Sequence, residues 1–338
     1  MRVAAERILI VLLGAIGDVT RALPLAMRLR AAYPQARIAW AVEPAAAPLL
    51  ENHPALDERL VFARAGGAAA FLRFLRRVRA GRFDLVVDLQ RHLKSGFVSV
   101  ASRAPVRIGF HRRNSKELNW LFNTHTIAPV DERGWKLEQY QRFAALLELP
   151  EEAPRFGITL RSDEEARVDA LIAPLGRPFA AFVAASTWES RLWFPEGFAA
   201  VGDALDARGM DTVILGGADA RPIAAATAAL ARRPPLDLSG QTSLREVYGV
   251  LARARLAIGP DSGPMHLAAA AGTPVVSLWG ATTPARSAPF RSEDFVLVGR
   301  VPCAPCYRRR CPIGRQCMQA ITPARVLAQV SRILERES

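Results

Sequence analysis

An aspartate follows the first apolar run of the chain, at a turn of small residues. The run at residues 7–13 (RILIVLL) predicts a buried strand, and the following GAIGD at residues 14–18 ends on Asp18. This turn lacks the third glycine of a dinucleotide-binding fingerprint and the Gly-Lys-Ser/Thr ending of a phosphate-binding loop. A carboxylate at a strand-to-helix turn can accept a proton from a substrate hydroxyl, although aspartate is also a favoured helix cap. Asp18 is therefore a candidate general base, with helix capping as the alternative.

A second turn of small residues lies at residues 259–264 (GPDSGP) and leads into an alanine-rich helix. The start of such a helix presents unpaired backbone N–H groups and the positive end of the helix dipole, which together suit a diphosphate. Pro264 fits the first helical turn, where its missing N–H costs nothing. An ordinary capped helix would have the same features, and His266 alone would more often be structural than functional. The turn is therefore a candidate anion site with a structural alternative.

Short apolar runs alternate with longer helical patterns, as in α/β proteins with parallel sheets. In the first half, the pattern predicts strands at residues 7–13, 38–42 and 83–88 and helices at 19–32 and 70–79. After a proline-rich and charged linker at 149–160, it predicts strands at 178–184, 211–215, 254–258 and 274–278. We therefore expect two Rossmann-like domains, at residues 1–160 and 161–322, with ligands bound at the strand ends. A C-terminal brace helix is expected in the segment 323–338.

The composition is that of a folded protein with a strong excess of arginine. Half of the 338 residues are hydrophobic, and the formal net charge is +13. Lysine occurs only at Lys94, Lys116 and Lys136, so arginine supplies nearly all of the positive charge. The charge favours an acidic partner such as nucleic acid, an anionic membrane or a phosphorylated substrate, but a coding bias toward arginine would give the same excess.

The sequence contains no predicted membrane-spanning segment, because no apolar run reaches the roughly 18 residues that such a helix needs. Arg2 and Arg7 precede the first apolar run as they would in a signal peptide. However, Asp18 and Arg21 interrupt the pattern early, and no clean small-residue cleavage site follows. We therefore expect a cytoplasmic protein that contacts a membrane only at its surface.

All the cysteines of the chain lie in one short segment, as Cys303, Cys306, Cys311 and Cys317. Four neighbouring thiols can bind zinc tetrahedrally, and the Cys-x-x-Cys spacing of the first pair is suitable. The later gaps are short for two separate zinc knuckles, and disulfides are uncommon in cytosolic proteins. A structural zinc ion, a disulfide and free thiols therefore all stay open.

Several segments, in order along nearly the whole chain, resemble those of the family 9 glycosyltransferases, the ADP-heptose:lipopolysaccharide heptosyltransferases and their relatives. The segments are Gly17-Asp18-Val19 with Leu23-Pro24, residues 84–90 (DLVVDLQ) with Lys94-Ser95, residues 193–196 (WFPE) and residues 261–268 (DSGPMHLA). The cysteine-rich tail is similar to that of members resembling heptosyltransferase II. The resemblance implies an α/β fold of the GT-B type, in which two Rossmann-like domains with parallel sheets face a central cleft. The first domain would bind mainly the acceptor and the second the nucleotide sugar.

The resemblance also implies roles for individual residues. The family inverts the anomeric centre in one displacement, commonly without a metal ion, and Asp18 takes the position of the general base. Relatives place hydroxyl donors and a lysine on the phosphates at the segment that matches residues 186–193, where Arg191 here takes the place of the lysine. Arginine keeps the charge but differs in geometry. The implied donor-binding residues are Ser186, Thr187, Arg191, Gly217, Asp219, Asp261, Ser262, Gly263 and His266.

The implied acceptor is the lipopolysaccharide inner core with its lipid A, whose phosphates and carboxylates favour basic partners. The corresponding acceptor-binding residues are Gln90, Lys94, Arg112, Arg113 and Lys116. We therefore expect a monomer that transfers heptose from ADP-heptose to this acceptor, in peripheral contact with the inner membrane. It would need no cofactor for catalysis, with zinc only as a structural ion, and would bind no nucleic acid.

Three alternatives to this function stay open. The same fold could use another nucleotide sugar and another surface glycan as acceptor. A nucleic-acid-binding protein with a zinc module would also be basic, but no recognition-helix or RNA-binding signature supports it. An inactive binding protein is the third alternative, and the presence of Asp18, Arg191 and Asp261 argues against it.

Overall fold

The chain forms two compact units that divide between Thr159 and Leu160. The computed structural model describes residues 1–337. The division falls inside the predicted linker, one residue before the predicted domain boundary. Ser338, which belongs to the predicted C-terminal segment 323–338, lies outside the described residues.

The first unit is built on one six-stranded sheet. Its strands are β1 (Arg7–Val11), β2 (Arg37–Val42), β3 (Glu58–Val61), β4 (Leu85–Asp88), β5 (Val106–Gly109) and β6 (His125–Thr126), and its α-helices are α1 (Ile16–Ala32), α2 (Gly67–Ala80), α3 (Leu93–Ala101) and α4 (Lys136–Leu146). The strand order is β3-β2-β1-β4-β5-β6, and every pairing is parallel. The near-continuous apolar run of β1 is typical of a central strand buried on both faces, and Ile8 to Val11 are fully buried.

The second unit repeats this arrangement. Its strands are β7 (Phe179–Val183), β8 (Asp211–Leu215), β9 (Leu236–Asp237), β10 (Leu256–Pro260), β11 (Val275–Trp279) and β12 (Val296–Val298), and its α-helices are α5 (Ser162–Ile172), α6 (Pro195–Asp206), α7 (Arg221–Leu230), α8 (Leu244–Arg253), α9 (Gly263–Ala270), α10 (Gln316–Gln319) and α11 (Pro323–Glu337). The order β12-β11-β10-β7-β8-β9 is again parallel throughout. Helix α11 packs into this unit through Val326, Val330 and Ile333, which are buried in its core.

The sequence pattern does not predict five of these strands, namely β3, β5, β6, β9 and β12. Four of the five are the outermost strands of the two sheets. Outer strands are short and only partly buried here, so they lack the long apolar runs that identify β1 and β8.

The topology places the same kind of ligand-binding edge on both sheets. In a parallel sheet, all strands end at one edge, and ligands bind where the strand order reverses. In the first unit this switch point lies between β1 and β4, and in the second it lies between β7 and β10. The turn that carries Asp18 follows β1, while the segment that contains Asp261 follows β10.

A fully buried aspartate at the end of β4 ties this strand to the segments that follow it. The Oδ2 atom of Asp88 accepts hydrogen bonds from Asn119 Nδ2 (2.9 Å) and Ser99 Oγ (3.3 Å), and Oδ1 accepts one from the Gln90 N–H (3.0 Å). Burial raises the pKa of Asp88 to about 6, although these donors act in the opposite direction.

The Asp88→Asn variant should lose a pH-dependent component of stability. Because the folded state holds the Asp88 proton more tightly than the unfolded state, the wild-type free energy of unfolding should fall as the pH rises from about 4 to about 6. This one group should account for about 3 kcal/mol, since its pKa is raised by about two units. Urea unfolding at about pH 4 and about pH 7 should therefore show that the variant gains stability relative to the wild type by this amount.

A change in the free energy of unfolding that the new amide causes equally at both pH values cancels when the two pH values are compared. Asp84→Asn, which removes a carboxylate just before β4, is the matched control. An equal pH dependence in the wild type and Asp88→Asn would contradict the prediction.

Candidate active site

Asp18 lies in the first turn of α1, directly after the turn that follows β1. The N-cap of this helix is Ala15, and no side chain caps it. The capping alternative for Asp18 is therefore wrong. Its side chain is 21% exposed, so the carboxylate is largely buried but still reachable from solvent.

Two cations bind the same oxygen of this carboxylate. Lys136 Nζ lies 2.5 Å from Asp18 Oδ1, and Arg21 donates a short hydrogen bond to the same atom. Among the described residues, none donates a hydrogen bond to Oδ2. Lys136 is the first residue of α4, which packs against α1. Lys136 is not recognisable as a partner of Asp18 in the sequence, because 118 residues separate the two and no local pattern connects them.

The two cations decide the charge of Asp18. Burial alone would raise the pKa of this carboxyl, but the attraction and hydrogen bonds of Lys136 and Arg21 outweigh it. The pKa of Asp18 is therefore held well below its usual range. The carboxylate is ionised at neutral pH, with one oxygen fixed by cations and the other available as a hydrogen-bond acceptor.

The predicted acceptor-binding residues lie in segments that follow β4 and β5. Gln90 lies two residues after the end of β4, which pairs with β1. Lys94 lies on α3, and its Nζ atom is 5.4 Å from the centre of the Phe62 ring. Arg112, Arg113 and Lys116 are exposed in the loop after β5. This loop contacts the segment after β4, because the Lys116 N–H donates to the carbonyl of Arg91 (2.7 Å). All five residues therefore lie at the edge of the sheet where β1, β4 and β5 end.

In the second unit, Asp261 is the centre of a polar cluster at the end of β10. Its Oδ2 accepts a hydrogen bond from Thr282 Oγ1 (2.8 Å) and lies 3.1 Å from the Arg191 guanidinium. Its backbone carbonyl accepts a hydrogen bond from Ser186 Oγ (3.2 Å). The structure thus brings the predicted residues Ser186, Arg191 and Asp261 together. It adds Thr282, which follows β11 and which the sequence analysis missed.

The guanidinium of Arg191 is held in a fixed position. Its side chain is only 17% exposed, and its Cζ lies 4.0 Å from the centre of the Trp188 ring. Its Nε atom is buried without a hydrogen-bond partner in the described part of the chain. Burial lowers the pKa of Arg191 and the nearby Asp261 opposes this, so the group stays charged. A fixed cation with a donor that lacks a partner is suited to a phosphate group.

The start of α9 lies next to this cluster. Ser262 is its N-cap, yet its side chain makes no capping hydrogen bond, and its buried Oγ has no partner among the described residues. Gly263 and Pro264 open the first turn, so no bulky side chain covers the backbone N–H groups there. His266 is buried on α9. This helix start therefore has the features of an anion site next to the Arg191 guanidinium.

Three predicted donor residues are not part of this hydrogen-bonded cluster. Thr187 is exposed in the segment after β7, whereas Gly217 and Asp219 are exposed in the loop after β8. Because β8 pairs with β7, both segments lie at the same edge of the sheet as Asp261.

The four cysteines are all free thiols. Burial raises the pKa of the Cys317 thiol, and the other three cysteines are near enough to raise it further. Nevertheless, within residues 1–337 no three side chains of the types His, Cys, Asp or Glu are arranged to hold a metal ion. A structural zinc ion stays one of the alternatives that the sequence leaves open for these cysteines.

The two units, each built on a parallel six-stranded sheet, have the architecture of the GT-B fold, with an ionised carboxylate in the first unit and a cation beside a helix start in the second. The model of glycosyltransferase family 9 (heptosyltransferase) matches residues 71–316. The chain therefore belongs to glycosyltransferase family 9.

Individual members of the family are similar to this chain over most of its length. The lipopolysaccharide core heptosyltransferase OpsX of Haemophilus influenzae is 26% identical, and the alignment covers 87% of this chain and 84% of that protein. Among solved structures, a family 9 glycosyltransferase from Veillonella parvula has a TM-score of 0.88 at 22% identity, with 99% of both chains covered. The Escherichia coli heptosyltransferase WaaC with ADP has a TM-score of 0.77 at 22% identity, covering 97% of this chain and 99% of that one.

No helix within residues 1–337 has both the length and the apolar character needed to cross a membrane.

Proposed function

We propose that this enzyme transfers heptose from ADP-heptose to an inner-core acceptor of lipopolysaccharide, with inversion at the anomeric carbon. The family match and the full-length similarity to lipopolysaccharide heptosyltransferases support the sugar and the acceptor. The observation that carries the chemistry is the state of Asp18, an ionised carboxylate with one oxygen open to a substrate.

Asp18 acts as the general base in this proposal. The acceptor hydroxyl attacks the anomeric carbon while its proton passes to Asp18 Oδ2, and the bond from that carbon to the diphosphate oxygen breaks. A carboxylate with a low pKa is a weak base, so it takes the proton only as the new bond forms. Its contribution therefore comes from position and from its negative charge beside the positively charged sugar of the transition state.

The second unit binds the nucleotide diphosphate in this proposal. Arg191 and the N–H groups at the start of α9 contact the phosphates, where negative charge grows as ADP leaves. Ser186, Ser262 and Gly263 lie next to the same place, and Thr187 adds a hydroxyl from the segment after β7. His266 and Asp261 lie toward the sugar phosphate, while Gly217 and Asp219 receive the nucleoside. The positive charge comes from the protein, so no catalytic metal ion is required.

The acceptor approaches through the segments after β4 and β5. Gln90, Lys94, Arg112, Arg113 and Lys116 supply polar and positively charged groups for the phosphates and carboxylates of the acceptor. Because that acceptor is a lipid, the enzyme works in peripheral contact with the cytoplasmic face of the inner membrane. We propose that it does so as a monomer.

Replacing Lys136 tests how the carboxylate is held. Lys136→Met removes one of the two cations that hold Oδ1, and we expect kcat to fall about tenfold to a hundredfold while the KM for the donor stays unchanged. The pKa of Asp18 should rise because the attraction of Lys136 is lost, but Arg21 remains beside the carboxylate and keeps it ionised at neutral pH, so the loss should be equal across the neutral range. Lys136→Arg is the matched control, since it keeps the charge. An unchanged kcat in Lys136→Met would contradict the prediction.

The proposed function is tested first by calorimetric titration with ADP, UDP, GDP and CDP, each with and without EDTA. We expect selective binding of ADP that EDTA does not change. The second step is transfer from ADP-heptose to heptose-deficient lipopolysaccharide, detected by mass spectrometry. Preference for another nucleotide would indicate the same fold with a different donor, whereas no binding of any nucleotide would refute the function.

A further inference from the structure

Helix α3 exposes three of its four large apolar side chains and buries only Val98. Leu93, Phe97 and Val100 are exposed, although their spacing places them on one face of the helix. The opposite face buries Ser95 and Ser99 instead. These serines face inward because they belong to the hydrogen-bonded group around the buried Asp88 carboxylate. The exposed apolar face of α3 thus follows from the polar interior beneath it.

A second exposed apolar segment packs beside α3. It comprises Leu118 and the 3-10 helix Asn119–Phe122, in which Trp120 and Leu121 are also exposed. The ring of Phe122 lies 5.3 Å from that of Phe97, and α3 contacts this 3-10 helix along its length. The two segments therefore form one surface, the α3–Trp120 patch, which consists of Leu93, Phe97, Val100, Leu118, Trp120 and Leu121.

The α3–Trp120 patch concentrates exposed apolar surface in one place. Its members are between 36% and 61% exposed, and they are six of the ten large apolar side chains found exposed in the described residues. Contiguous apolar patches on soluble proteins mark contacts with proteins, ligands or membranes, whereas single exposed apolar residues do not. The patch therefore requires a partner.

The surroundings of the patch are strongly basic. Residues 91–125 contain seven arginines and lysines but only one acidic residue, Glu117. Arg103, Arg112, Arg113 and Lys116 are all exposed there. Glu117 pairs with His92 and accepts the Leu93 N–H, so it is tied to the edge of the patch. An apolar surface with a basic rim is complementary to anionic lipid headgroups above an acyl interior.

We propose that the α3–Trp120 patch docks the enzyme onto an anionic phospholipid bilayer. The aliphatic side chains and Phe97 enter the interface, the Trp120 indole lies at headgroup depth, and the basic rim contacts the lipid phosphates. A second copy of the chain fits this patch less well, because a symmetric contact would bring two basic rims together. Nucleic acid would gain little from the aliphatic side chains.

The test is flotation of the full chain with vesicles of phosphatidylethanolamine and phosphatidylglycerol, compared with vesicles of phosphatidylcholine alone. We expect the wild type to bind the anionic vesicles and Leu118→Asn/Leu121→Ser to bind them at least about tenfold more weakly. Asparagine suits position 118, where φ is 59°. Leu230→Ser, which removes an exposed leucine from the second unit, is the matched control and should bind like the wild type.

Measurements of turnover and ADP affinity distinguish a failure of membrane docking from a failure of the proposed transfer activity. Turnover of a water-soluble acceptor fragment and ADP affinity should be unchanged in the double variant, because the two leucines belong to neither proposed substrate site. Val100→Ser provides a second variant if the double variant unfolds. Equal binding of wild type and variants to anionic vesicles would overturn the proposal, as would a wild-type dimer that the double variant abolishes in sedimentation.

Discussion

Asp18→Asn should abolish heptose transfer and leave ADP affinity unchanged. Asparagine has nearly the same shape, and its side-chain oxygen can still accept hydrogen bonds from Lys136 and Arg21. However, it cannot take the proton of the acceptor hydroxyl, so we expect kcat to fall by about three orders of magnitude or more. The measurement is single-turnover transfer with saturating ADP-heptose, beside calorimetric titration with ADP.

Stability must be followed in the same variant. Removing the negative charge leaves Lys136 and Arg21 partly buried beside a neutral group, so the melting temperature should fall. Transfer should therefore be compared at a temperature at which both proteins are folded. The matched control is Asp84→Asn, which changes a carboxylate of the same unit away from the site and should keep full activity. Activity of Asp18→Asn within about tenfold of the wild type would mean that another group is the base.

Arg191→Ala should weaken ADP binding about tenfold to a hundredfold and lower kcat further, by about two orders of magnitude. The variant loses the cation that we propose contacts the phosphates, and the Asp261 carboxylate loses the positive charge that offsets its own. Both effects oppose binding of a dianion, and the loss of the cation matters most when the leaving group gains charge. Calorimetry and steady-state kinetics separate the two effects.

A second substitution, at Asp261, separates the loss of the Arg191 cation from the repulsion by the Asp261 carboxylate. Asp261→Asn in the Arg191→Ala background removes the repulsive charge and should recover part of the ADP affinity but little of the turnover. Arg191→Lys keeps a cation and is the matched control, with activity between those of the wild type and the alanine variant. Unchanged affinity and turnover in Arg191→Ala would refute its role at the phosphates.

The sequence predicts every inner strand of the two sheets except β5, and it predicts none of the four outermost strands. The sequence pattern gives the exact bounds of β8, whose segment DTVIL is buried at every position and ends in three apolar residues. By contrast, β3 has the sequence ERLV and β6 has the sequence HT, and both sequences are also compatible with a loop. Tertiary pairing, rather than local preference, makes these segments strands.

The same distinction holds for the site. Asp18, Arg191 and Asp261 stand in motifs whose local sequence is informative, and the second unit brings Arg191 and Asp261 into contact. Lys136 contacts Asp18 in the first unit, and Thr282 contacts Asp261 in the second, only through packing between distant segments of the same unit, which no spacing rule detects. The exposed face of α3 is a further case, since apolar periodicity alone would place Phe97 in the core. Instead, the hydrogen bonds of Ser95 and Ser99 to the buried Asp88 turn the serine face of α3 inward and leave Phe97 exposed.

The parallel strand order also determines when each unit can fold during synthesis. Strand β1 lies at the centre of its sheet, yet its inner neighbour β4 is made only about 75 residues later, because Ile8 pairs with Leu85. The second unit has the same delay, since Ala180 pairs with Leu256. A growing chain therefore carries an apolar strand with one unpaired edge for several seconds, during which it can aggregate or be bound by a chaperone. The sheet of each unit can therefore be completed only after most of the unit has been synthesised, and not strand by strand from its N-terminal end.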